Sequence, residues 1–154
     1  MLVRRILFVL LISVAPVIGV LPATPAMAAS VITSSFDKAV THPGETVTLS
    51  VTFTNPETVD VTFTYLTVNQ SYDTMTDGTK YSQTSCTGEI TSCNHYTVPI
   101  PPGGTRTLKL TYEIATDSPC GENIGVSVYY YSYRESTAGT FDGVEGGPAV
   151  TVLC

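Results

Sequence analysis

"TVTLSVTFT", residues 46–54, alternates without a fault: Val47, Leu49, Val51 and Phe53 fall on one parity, threonine or serine on the other. Successive side chains of a strand point to opposite faces, so this segment reads as a strand with one dry and one wet face. "TRTLKLTYEI", residues 105–114, repeats the pattern with Leu108, Leu110, Tyr112 and Ile114. "VDVTFTY", residues 59–65, puts Val59, Val61, Phe63 and Tyr65 on one parity, and the phase then reverses at Leu66 and Val68. That reversal reads as a bulge near Tyr65 or the end of the buried stretch.

Turn chemistry separates these runs. "HPGE" (42–45) precedes the first, "NPET" (55–58) closes it, "PIPPGGT" (99–105) opens the third, and "TDSPCGEN" (116–123) and "GVEGGPA" (143–149) follow. Proline and glycine here set turn backbones that strands cannot continue through. No segment combines a helical period with caps. The expected strands are A at 31–40, B at 46–54, C at 59–68, a weak D about 79–85, E at 105–114, F at 123–134 and G at 147–153. About seven short strands at turn-separated intervals predict an all-β antiparallel β-sandwich. Residues 69–98 are too long for a simple loop and are expected to hold D and a loop pinned by Cys86 and Cys93.

The N-terminus has the layout of a secretory signal. Arg4 and Arg5 precede the apolar run "ILFVLLISVAPVIGV", and "AMA" at 26–28 fits the small-x-small cleavage rule. The run is interrupted by Pro16 and is short for a span of about 20 residues. Residues 1–28 are therefore expected to be removed, leaving 29–154 as one secreted domain with no membrane span. Arg4 and Arg5 aside, 5 basic side chains face 13 acidic ones, a net of −8. A phosphate backbone would be repelled, which excludes nucleic acid as a natural partner, and an anionic membrane surface with it.

All four cysteines, Cys86, Cys93, Cys120 and Cys154, lie in the mature region. An even count in an exported chain reads as two disulfides, for which three pairings exist. Their spacing matches no zinc pattern, and neither a metal nor a cofactor is expected.

"HPGETVTLSVTFTNPETVDVTFTYLTV" and "VPIPPGGTRTLKLTYEI" resemble the immunoglobulin-like surface domains of bacteria of the DUF11 and CARDB kind. The matching positions are Pro43, Gly44, Glu45, Asn55, Pro102, Gly103, Gly104 and Thr105. The resemblance implies an immunoglobulin-like sandwich on the bacterial cell surface. In such a sandwich F and G are antiparallel neighbours, so the start of F lies beside the end of G. Cys120 precedes F and Cys154 ends G, which favours Cys120–Cys154 and leaves Cys86–Cys93.

No catalytic motif stands out. His42 sits in a turn, and His95 lies near a cysteine expected to be oxidised, which removes a Cys–His nucleophile pair. No "GxSxG", "HExxH" or phosphate-binding glycine loop is present. "DTMTDGT" (73–79) has Met75 where a calcium loop needs an oxygen, and reads as a surface turn. The chain is not expected to be an enzyme.

One feature asks for a role. In "VSVYYYSYRE" (126–135), Ile124, Val126, Val128 and Tyr130 share the core parity, so Tyr129, Tyr131 and Tyr133 form an outward row about 14 Å long. Either these rings stack against Thr62 and Thr64 of strand C as ordinary strand residues, or they are a contact face for another protein or the cell envelope. An acidic, exported, two-disulfide domain is also similar in general profile to carriers of the neocarzinostatin type, which hold an apolar compound in a cleft.

Overall fold

A computed structural model describes residues 30–154, so the expected signal peptide at 1–28 and its cleavage site lie outside the described residues. Among the described residues eight strands form the two sheets of a sandwich, to which a two-stranded hairpin and one short helix are added. Strand β1 (Ile32–Phe36) pairs with β3 (Thr46–Thr54), which pairs with β8 (Thr105–Ile114) and then β5 (Tyr81–Gly88). The second sheet runs β2 (Val40–Thr41), β10 (Gly139–Val152), β9 (Asn123–Arg134), β4 (Phe63–Gln70). Every pairing is antiparallel except β2 with β10. With β1, β3, β8 and β5 as strands A, B, E and D, and β10, β9 and β4 as G, F and C, this is the immunoglobulin-type arrangement. Among the described residues no helix is long and apolar enough to cross a membrane.

The alternating runs do what their parity dictates. Val47, Leu49, Val51 and Phe53 of β3 are fully buried, as are Leu108 and Ile114 of β8, and Ile124 and Val128 of β9 face them from the other sheet. Phe53 lies at the centre, with the rings of Tyr96, Phe141 and Tyr130 at 5.9, 6.2 and 6.4 Å. Tyr96 is 2% exposed and donates its hydroxyl to the Val51 carbonyl at 3.0 Å, so the burial of that polar tip is compensated.

The turn residues close the ends. Asn55 is 1% exposed, and its amide donates to the carbonyls of Val59 and Ile100 while its carbonyl oxygen accepts from the Glu57 N–H. One side chain thus satisfies three backbone groups in the B–C connection, which an apolar residue would leave unpaired. Gly103, at φ 68°, makes the tight turn that delivers its N–H to the Asn55 carbonyl.

Both disulfides form as expected: Cys86–Cys93 and Cys120–Cys154, each with Cα atoms 5.4 Å apart. The second clamps the start of β9 to the end of β10, where Gly121 N–H also bonds the Val152 carbonyl.

The structure corrects four boundaries. Strand A is split: β1 belongs to the first sheet and β2 to the second, with the chain crossing between them beside Asp37, whose carboxylate accepts the Thr48 N–H. Strand C begins at Phe63, because Val61 makes only an isolated bridge to Ile100. Strand D runs from Tyr81 to Gly88. Strand G begins at Gly139, eight residues early, and a bulge between Gly146 and Ala149 absorbs the glycines that read as a turn. A helix, α1 (Tyr72–Asp77), occupies "DTMTDGT". At six residues it is too short to show a period, but Ser71 caps its start and left-handed Gly78 ends it.

Candidate interaction face

The outer face of the second sheet is built from alternate residues of β4, β9 and β10. Tyr129, Tyr131 and Tyr133 do point outward, while Tyr130 between them is buried. Their neighbours on β4 are Thr67, Tyr65 and Phe63 respectively, and on β10 Val144, Asp142 and Thr140. The row legible in the sequence is therefore one column of a wider patch.

Strand register sets Phe63, Tyr65 and Thr67, not Thr62 and Thr64, beside the three tyrosine side chains, and Thr62 meets Tyr133 only at its backbone carbonyl, which accepts the Thr62 N–H at 2.9 Å. The parity of strand C slips between Val61, fully buried, and Phe63, 41% exposed, two residues before Tyr65. From there Thr64 and Leu66 turn inward and Phe63 and Tyr65 turn out. Thr64 is buried, with its hydroxyl accepting the Tyr96 N–H. Thr62 sits at the end of the face, where its hydroxyl accepts the Glu135 N–H. The sequence holds the signal: read backwards from Leu66, the parity selects Thr64 as the inward residue. Two aromatic residues on the other parity mask it.

A further ring comes from the connection between β5 and β8 of the first sheet. From β5, the chain forms a small hairpin of β6 (Ile90–Ser92) and β7 (His95–Tyr96), tied back by Cys86–Cys93. The Leu66 N–H bonds the Asn94 carbonyl, which covers part of the edge of β4. Tyr96 anchors the hairpin in the core, and His95 stands edge-on to Phe63 at 5.3 Å and to Tyr65 at 5.5 Å. Phe63 in turn meets Tyr131 edge-on at 6.2 Å. Edge-to-face pairs at these distances hold the rings in fixed orientations.

Helix α1 bounds the other end. Thr74 is buried and its hydroxyl both donates to the Asn123 carbonyl and accepts the Gly125 N–H, at 2.9 and 2.7 Å. Gly125 is required for that approach, since a Cβ there would lie 2.6 Å from Ser71 Oγ. The docking leaves Tyr72 and Met75 exposed beside the face.

Asp142 is the charged group within the patch. Removal of solvent from the Tyr129 hydroxyl, and then the nearby Asp142 carboxylate, raise its pKa above the ordinary tyrosine value. Among the described residues no group of three or more His, Cys, Asp or Glu is placed to hold a metal ion.

The first sheet presents a different surface. Its outward positions on β3 are threonine or serine at every second residue from Thr46 to Thr54, facing Thr107, Lys109 and Thr111 of β8. Thr52 and Thr107 share a hydroxyl–hydroxyl hydrogen bond of 2.9 Å. Between the edges of β4 and β5 lies an open groove of about 450 Å³. Tyr65, Leu66, Val68, Cys93 and Leu110 line it together with Thr67, Gln83, Ser92 and Asn94.

No protein-family model matches the chain, and no curated protein matches it. Among solved structures it is similar to the sixth cohesin of scaffoldin B from Acetivibrio cellulolyticus, crystallised with a Cel5 dockerin. That match has 17% identity over 80% of this chain and 99% of the cohesin, at a TM-score of 0.48. It is also similar to the major pilin subunit BcpA of Bacillus cereus, with 9% identity over 79% of this chain and 39% of the pilin, TM-score 0.48. A FixG-related protein from Vibrio parahaemolyticus matches at 12% identity over 81% of this chain and 99% of its own, TM-score 0.39. Likenesses this remote say nothing of function.

Proposed function

We propose that this is an exported, non-enzymatic immunoglobulin-like module, freed of residues 1–28, that binds another protein or a cell-envelope component through the face of Tyr129, Tyr131 and Tyr133. The observation that supports this reading is the contrast between the two outer faces. One sandwich exposes two wet sheets, and only one of them is paved with rings: Phe63, Tyr65 and the three tyrosines, with Val144 66% exposed beside them. Rigid aromatic side chains with polar tips lose little entropy on contact and are enriched at interfaces. The two formed disulfides suit an oxidising compartment, which supports export.

A carrier of an apolar compound would use the groove between β4 and β5. Four of its nine lining residues, Thr67, Gln83, Ser92 and Asn94, are polar, more than the few polar groups that such sites carry.

The test is the native mass of the protein recovered from its own host's medium and cell surface. The module reading expects wild type in a complex and the folded triple variant Tyr129→Ser/Tyr131→Ser/Tyr133→Ser free. A complex that survives the triple variant refutes the role of the face. A mass a few hundred daltons above the chain's would instead favour the carrier.

A further inference from the structure

We propose that the partner offers this face an arginine-bearing segment of polypeptide, its guanidinium groups lying over the rings of Tyr129 and Tyr131 against the Asp142 carboxylate. The inference rests on the reading of the tyrosine face as an interaction surface and adds the chemistry of what docks there.

Residues 30–154 contain five bases. Lys38 pairs with Glu45, Lys80 with Asp117, Arg106 with Glu89 and Arg134 with Glu57. Lys109 lies on the outer face of the other sheet, opposite Ser50. Asp142, by contrast, has no cation beside it among the described residues. Strand register sets it directly across from Tyr131, with Tyr129 and Tyr133 as diagonal neighbours, within reach of both rings. A carboxylate among ring faces is complementary to a planar cation: the rings attract it through their quadrupoles and the carboxylate supplies the countercharge. Arginine fits better than lysine because its guanidinium stacks flat and is weakly hydrated. Loss of solvent at the Tyr129 hydroxyl, and then the Asp142 carboxylate beside it, raise its pKa, which agrees with negative charge at this spot.

Charge also decides among occupants. The excess of −8 on the chain outside Arg4 and Arg5 steers basic partners in and repels a second copy of the chain. The Tyr129–Tyr133 row advances in steps of two residues, which an extended peptide with arginine at alternate positions can follow.

The probe is a short peptide alternating arginine with glycine, and its control replaces each arginine by neutral, isosteric citrulline. Binding is read from the tyrosine ring signals in NMR titrations of the whole protein. The arginine peptide is expected to shift the Tyr129 and Tyr131 rings and to bind about tenfold more tightly than the citrulline peptide. Asp142→Asn should remove that preference without unfolding the sheet, and added salt should weaken it. Equal binding of both peptides, shifts confined to the Asp73–Asp77 end, or concentration-dependent self-association through the same rings would overturn the inference. If the triple tyrosine variant loses its host partner while arginine shows no advantage over citrulline, the face reading stands and this one falls. If the triple variant keeps its partner, both fall.

Discussion

The two outer faces of this sandwich solve the same problem in different ways. Each must cover a sheet whose inner side is dry and whose outer side meets water. The first sheet does so with threonine and serine, β-favouring residues whose hydroxyls bond water and one another, as Thr52 and Thr107 do. The second uses aromatic rings at the equivalent alternation, with Tyr131 set between Tyr65 and Asp142. Strand propensity cannot explain the choice, because the threonine sheet shows that the fold is served without it. What the aromatic face gains is rigid contact area, and what it risks is adhesion. A chain that accepts that risk on one face alone has a use for it there.

The core shared by both faces is the strongest test of whether they belong to one cooperative unit. Phe53→Ala empties the point where Tyr96, Tyr130 and Phe141 converge and should cost about 3–5 kcal/mol. In urea unfolding, fluorescence from the tyrosine face and far-ultraviolet dichroism should shift together. Separate transitions would mean that the two sheets are not one unit.

The disulfides should act unequally. Cys120→Ser opens the larger loop and removes up to about 3.8 kcal/mol by chain entropy, fraying β10 and so the aromatic sheet first. Limited proteolysis should then cut near Thr151, and an unchanged pattern would contradict the clamp. Cys86→Ser removes about 2.5 kcal/mol and loosens the β6–β7 hairpin that presents His95. Its signature is a change in the Phe63 and Tyr65 ring environments with β10 undisturbed.

Single surface substitutions sharpen the contrast. Tyr131→Ser and Thr52→Ala should each cost about 1 kcal/mol or less in denaturant midpoints, since both remove a cross-strand pair. A loss of about 3 kcal/mol for Tyr131→Ser would make the ring a packing residue, unlike the threonines of the first sheet. The smallest effect belongs to the turn before β3. The hydrogen bond from Lys38 holds the Glu45 carboxyl down to about 2, against 4.5 ordinarily. A depressed carboxyl contributes stability above its unfolded value and loses it as pH falls toward 2. Lys38→Met should therefore lower stability slightly at pH 6, and the difference should vanish by about pH 2. A gap that widens on acidification would reverse the sign.

Much of the fold is written in local pattern. The bounds of β3, β8 and β9 follow from strict alternation between turn residues, whereas the cysteine pairs follow only from the sandwich that the resemblance implies, in which the start of F meets the end of G. The parts that were not legible depend on tertiary partners. Val61 ends its run because Ile100 bridges it, and nothing in residues 59–65 announces Ile100. The glycines of 143–147 read as a turn, yet β9 is long enough to pair with most of them. The outward row of Tyr129, Tyr131 and Tyr133 follows from parity, but Phe63, Tyr65, Asp142 and His95 join it only through register and through a hairpin delivered from the other sheet.

The aromatic face, and not the hydroxyl face, is expected to be covered in the protein's working state. Chemical footprinting tests it directly. The purified protein is iodinated on tyrosine and acetylated on lysine, alone and after incubation with its host's envelope fraction. Protection of Tyr129, Tyr131 and Tyr133 with Lys109 of the first sheet still reactive is the predicted result. Equal reactivity of those tyrosines in both samples, or protection of Lys109 instead, would mean that the aromatic face is not the covered one.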